Sequence, residues 1–166
     1  IDNLTSAPPP SSDVILEGLI ELDDFLNANG IDYILTGSLG LFVHGISPAS
    51  YKPHDIDIVV LNNCNIIPND CLLSLFEQYY GKTSPIYEGG RRMFVFNIGT
   101  SHIEINAFVH DDTLFPPINY KAIHISNHII KVHNVIGILE EKYKLHRLKD
   151  FRYNVAIQSM LNALLN

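Results

Sequence analysis

Cysteine is nearly absent. Cys64 and Cys71 are the only two, and their spacing fits neither a redox C-x-x-C pair nor a zinc knuckle, which leaves two reduced thiols as the expectation. Basic charge is also short: 11 Lys and Arg stand against 18 Asp and Glu, a formal charge of −7. A surface of that sign repels phosphate backbones and argues against extended nucleic-acid binding, while a local basic pocket for one nucleotide stays compatible with it. No apolar run approaches the roughly 18 residues of a membrane span. No charged segment followed by an apolar one opens the chain, so no signal peptide is expected. Together these absences give a cytoplasmic, membrane-free protein as the expectation. Hydrophobic residues, by contrast, make up 46% of the 166 positions, enough to build a core within one domain carrying a small helical appendage.

The pattern along the chain is α/β. Residues 1–12, with Pro8, Pro9 and Pro10, read as a flexible arm with no core of its own. Residues 13–133 form the main unit, and residues 134–166 supply C-terminal helices packed on it. Ile15, Leu16, Leu19, Ile20, Leu22, Phe25 and Leu26 recur at helical spacing, and Asn29-Gly30 stops that helix. A short apolar strand over 32–35 runs into Thr36-Gly37-Ser38 and a helix of two turns over 39–44. A loop then leads to an apolar strand over 55–61, and a helix follows over 68–80. Residues 81–92, glycine-rich and polar, read as loop. Strands over 93–98 and 102–109 and a small hairpin over 122–132 complete a small mixed sheet. One helix runs from Asn134 to about Leu148, and Asp150 opens the last.

Three pieces carry the chemistry. Gly37-Ser38 sits where a strand meets a helix: glycine permits the tight turn, and a helix start offers free N–H groups to an anion. Asp55 and Asp57 are two apart on a strand, so both side chains share a face. Two such carboxylates repel unless a cation lies between them, and their hard oxygens suit Mg²⁺. Glu104 is the third piece. On its strand it shares a face with His102 and Asn106, while Ile103 and Ile105 face the other way. A third carboxylate on a neighbouring strand would complete a two-metal site for displacement at phosphorus.

In their order these residues resemble a known family. Leu35-Thr36-Gly37-Ser38-Leu39-Gly40-Leu41 followed by Lys52-Pro53-His54-Asp55-Ile56-Asp57-Ile58 is similar to the nucleotidyltransferase superfamily with polymerase-beta-like fold, in particular to small bacterial antibiotic nucleotidyltransferases and their uncharacterised relatives. The likeness spans about Asp13 to Phe108, with a weaker echo from Lys142 to Lys149-Asp150. It implies Mg²⁺ as cofactor, an NTP as donor, and transfer of a nucleoside monophosphate to a hydroxyl of an acceptor molecule. Asp55, Asp57 and Glu104 would be catalytic and hold metal. Gly37, Ser38, Lys52 and His54 would contact the nucleotide. Many relatives carry Arg where this chain has Lys52, and Asp where it has Glu104. Those departures keep an inactive nucleotide binder or a toxin–antitoxin component as the alternative, beside a plain interaction module and a phosphohydrolase.

Other features carry less. His124, His128 and His133 do not show a metal spacing and read as structural or surface residues. Arg91-Arg92 reads either as a triphosphate contact or as a solvated pair. Tyr51, Tyr79 and Tyr80 read as packing residues, and Asp111 or Asp112 is the reserve for the third carboxylate.

Overall fold

The computed structural model describes residues 12–46, 52–61, 69–82, 84–88, 91–110, 117–145 and 147–165. The proline arm up to residue 11, Tyr51, Cys64, Asp111 and Asp112 lie outside the described residues. In chain order the elements are α1 (Ser12–Ala28), β1 (Asp32–Thr36), α2 (Gly37–Val43), β2 (Asp55–Leu61), α3 (Asn69–Tyr80), β3 (Ser84–Glu88), β4 (Arg91–Ile98), β5 (Ile103–His110), β6 (Tyr120–Ile125), β7 (His128–His133) and α4 (Val135–Leu145). A 3₁₀ turn, Leu148–Tyr153, then leads into α5 (Asn154–Leu165).

Among the described residues, one seven-stranded sheet holds every strand, in the order β3-β4-β5-β2-β1-β7-β6. It is mixed: β2 runs parallel to β5 and β1 parallel to β7, while the remaining pairs are antiparallel. The expected fold class holds, with a wider sheet than the sequence suggested. The difference is β3. Residues 84–88, expected as loop, pair with β4 along their length. This is an edge strand with one neighbour and Pro85 inside it, so it carries no alternation a sequence reading could detect.

The two faces of the sheet are unequal. α1 buries Ile15, Leu19, Leu22 and Leu26 completely, a stripe one helical turn apart. These pack with Ile56, Ile58, Ile103, Ile105, Phe94 and Phe96 from alternate positions of the central strands. α3 closes the same layer, with Phe76 stacked on Phe96 at 4.8 Å between ring centroids, and Tyr80 stacked on Phe96 as well. Strand alternation turns the intervening residues, Asp55, Asp57, Glu104 and Asn106, to the opposite face. There a smaller cluster of Leu41, Ile138, Leu139, Tyr153 and Ile157 ties α2 to α4, the 3₁₀ turn and α5. The C-terminal helices therefore pack against α2, and the acidic residues of β2 and β5 face the space that remains.

Candidate active site

The site begins with register. β2 and β5 pair so that Asp55 stands opposite Glu104 and Asp57 opposite Asn106; on its other side Asp57 stands opposite Thr36 of β1. Three adjacent strands thus present their polar residues at one end of one face. They open on a cleft of about 600 Å³, whose lining includes Gly37, Ser38, His54, Asp55, Asp57 and Glu104.

Asn106 links the two aspartates. Its amide nitrogen donates to Asp57 Oδ1 at 2.9 Å and reaches Asp55 Oδ2 at 3.3 Å. One donor atom within reach of both carboxylates shows that they converge closely enough to share a single charged partner. Burial and the neighbouring Asp55 charge push the Asp57 carboxyl up to about 7, against the opposing pull of the Asn106 hydrogen bond, Lys142 and Lys149. Glu104 lines the cleft but is exposed. Among the described residues, Asp55, Asp57 and Glu104 do not form a group whose ligand atoms all lie within 4.8 Å of one another.

Gly37 explains how Asp57 is held. Its φ is +68°, and a Cβ added there would collide with Asp57 Oδ2 and stand 3.0 Å from Asp57 Cβ and Cγ. Only glycine combines that backbone conformation with that contact. Ser38 follows in the first turn of α2. It is buried, and its Oγ accepts a hydrogen bond of 3.1 Å from Lys142 Nζ.

Lys142 belongs to a wall that the sequence reading did not assign. Its ammonium is buried, bonds Asp150 Oδ1 at 3.3 Å and lies 4.6 Å over the Tyr153 ring. Burial lowers its pKa, and the Asp150 charge works against that shift. Arg147 Nε donates to the other oxygen of Asp150 at 2.8 Å. Burial alone would raise the Asp150 carboxyl, but Arg147 and Lys142 together hold it below the usual carboxylate range. Lys144, Lys149 and Arg152 join Lys142 and Arg147 along the cleft. The signal for this wall was the run from Lys142 to Lys149-Asp150, read earlier only as an echo.

The remaining sequence candidates divide. His54 lines the cleft, while Lys52 is exposed and is not among the lining residues. Arg92 is half-buried with its guanidinium 5.6 Å over the Phe94 ring, also outside the lining. A different group, Asp23, Asp24 and His128, does bring three ligand atoms within 4.8 Å. Its carboxylates already have partners: Asp23 accepts from Tyr33 Oη at 2.6 Å and from Asn27 at 3.1 Å, and Asp24 bonds His128 at 2.8 Å. It sits by the Tyr33 end of β1, away from the cleft at Thr36.

No family model matches the chain, and no curated protein matches it by sequence. Solved structures do. An antigenic nucleotidyltransferase-like protein from Paracoccidioides brasiliensis superposes with a TM-score of 0.65 at 17% identity, over 94% of this chain and 79% of that one. A candidate nucleotidyltransferase from Thermotoga maritima gives 0.58 at 15% identity, over 93% and 97%. The chain has a nucleotidyltransferase-like fold. Among the described residues, no helix is long and apolar enough to cross a membrane.

Proposed function

We propose that this chain is a Mg²⁺-dependent nucleotidyltransferase, moving a nucleoside monophosphate from an NTP to an acceptor hydroxyl. The observation that carries the reading is a cleft lined by Asp55, Asp57 and Glu104 from the sheet and by Lys142, Lys144, Arg147, Lys149 and Arg152, with Glu141 among them, from the C-terminal elements. Separated charges of that kind suit a ligand that is itself a cation bound to a polyanion.

Asp55 and Asp57 would hold the metal. The fit rests on their oxygen-only donor set and on the single Asn106 nitrogen that reaches both. When bound, Mg²⁺ would neutralise charge developing on the phosphoryl oxygens and bring the carboxylates into use as ligands. The basic wall would bind the triphosphate and stabilise departing pyrophosphate. Glu104, one strand over and open to the cleft, would accept the proton of the acceptor hydroxyl as its oxygen attacks the α-phosphorus, or would hold a second ion. Attack forms the new P–O bond as the bond to pyrophosphate breaks. Ser38, tied to Lys142, would keep that ammonium directed at the cleft, and His54 would meet the nucleotide from the loop before β2. Lys52, outside the lining, fits better as a contributor of long-range charge than as a contact.

A second reading, nucleotide binding without transfer, is favoured by one observation: among the described residues, Asp55, Asp57 and Glu104 do not bring three ligand atoms all within 4.8 Å of one another. Mg²⁺-dependent pyrophosphate release from each NTP, with and without hydroxyl acceptors, separates the two. Transfer predicts release that Glu104→Gln lowers about 100-fold or more, the scale of a lost general base. Mg-NTP binding with no release under any condition would favour the binder.

A further inference from the structure

His133 is used by nothing in the proposed chemistry, yet it is buried among the elements that build the site. It ends β7, which runs parallel to β1 with Val132 opposite Leu35. One residue further along each strand come His133 and Thr36. Their side chains share a buried hydrogen bond of 3.0 Å between His133 Nδ1 and Thr36 Oγ1. Thr36 is the N-cap residue of α2, but its hydroxyl makes no capping bond. A threonine at that position ordinarily turns its oxygen to the helix it begins, which stabilises by about 1 kcal/mol. Here the hydroxyl is directed across the sheet instead.

The histidine is fastened on two further sides. His44, at the end of α2, donates from Nε2 to the His133 carbonyl oxygen at 2.9 Å. On α4, a Cβ added at Gly137 would collide with His133 Nε2, so the ring lies directly against that helix backbone. The same helix carries Lys142, which bonds Ser38. One residue therefore ties three elements together: its imidazole touches the strand end before the Gly37 turn and the helix that supplies the basic wall, and its backbone carbonyl takes the bond from the far end of α2.

We infer that His133 is a positioning residue for the metal-binding carboxylate: by holding Thr36 it fixes the Gly37 turn against Asp57. The connection is short. Thr36 is the strand partner of Asp57, and the next residue packs on the Asp57 carboxylate. Loss of the Thr36–His133 bond would free that turn and let the carboxylate leave the position in which it faces Asp55. Outer partners that orient ligands typically contribute about 10–100-fold to metal affinity.

The inference rests on the metal site proposed above, and its test is Mn²⁺ binding by the full chain, measured by electron paramagnetic resonance. Thr36→Val, His133→Leu, His133→Asn and the Thr36→Val/His133→Leu pair are compared with the wild type, each checked for a cooperative melt. Thr36→Val exchanges a hydroxyl for a methyl and answers the question even if His133→Leu fails to fold. The expected result is that Thr36→Val and His133→Leu each weaken Mn²⁺ about 10–100-fold. The double variant should be no weaker than either single one, and His133→Asn, whose amide can take the place of Nδ1, should recover most of the affinity. A purely structural role would lower the melting temperature and leave Mn²⁺ affinity untouched. Wild-type binding with unchanged single variants, or losses that add in the double variant, would overturn the inference alone. A wild type that binds no Mn²⁺ would overturn the metal site and this inference with it.

Discussion

At the residue scale, Asp57 and Gly37 hold the centre of the site. The Asp57 carboxyl, pushed up to about 7 by burial and by Asp55, lies above its ordinary value in an unfolded chain. Such a group contributes stability in full below that ordinary value and loses it as pH rises through the folded one. Metal-free wild type should therefore lose stability between about pH 4 and 7 from this group, and Asp57→Asn should not. In EDTA, the variant should melt higher than wild type at pH 8 and about equally at pH 4. Each kcal/mol relieved corresponds to about 2–4 °C in a chain of this size. A difference that does not grow with pH would count against the assigned cause. Gly37 permits a second test, because Gly30 is a matched control. Gly30 has φ +69°, and a Cβ there would meet nothing within 4 Å. Gly30→Ala should lose about 1–2 kcal/mol for the left-handed backbone alone. Gly37→Ala should lose more, and should also lose Mg²⁺ binding, because its new methyl occupies the position of the Asp57 carboxylate. Equal losses in chemical denaturation, with metal binding intact, would remove Gly37 from the site. Both positions were readable in advance, since Gly-Ser before a helix and Asp-x-Asp on an apolar strand are local patterns.

At the element scale, strands with two neighbours and helices with a full apolar stripe were readable, because each carries its own period. The exceptions have physical causes. β3 is a short edge strand with Pro85, and its pairing to β4 is a tertiary fact. The end of the chain was expected as two helices meeting near Leu148 to Asp150. Instead α4 stops at Leu145 and a 3₁₀ turn, Leu148–Tyr153, intervenes before α5. That turn is what brings Asp150 back to Lys142. Lys142→Met keeps the stem that packs near Tyr153 and removes the charge, leaving Asp150 its bond to Arg147. It should weaken Mg-NTP binding by tenfold or more while leaving affinity for Mn²⁺ alone within about twofold, since a hydrogen bond to a charged group contributes about 1.5–3 kcal/mol. Calorimetry with each ligand checks this. An equal loss for both ligands would show that Lys142 shapes the carboxylate site rather than binding phosphate.

At the scale of the whole molecule, net charge misleads about the site. The chain carries −7 overall, yet a wall of its cleft is basic. The run from Lys142 to Lys149-Asp150 hinted at that wall, but its place could not be read from the sequence, because these residues and Arg152 join the cleft of the Asp55–Asp57 pair only after α4 and the 3₁₀ turn fold across the sheet. The acidic half of the cleft was readable, since two of its carboxylates are neighbours on one strand and Glu104 is the lone charge in another. The decisive measurement is calorimetric titration of the full chain with non-hydrolysable NTP analogues, with and without Mg²⁺, beside Asp57→Asn. Wild type should bind at least one analogue only when Mg²⁺ is present, and Asp57→Asn, though folded, should not. Absence of binding for all four bases, or equal binding by wild type and variant, would contradict it.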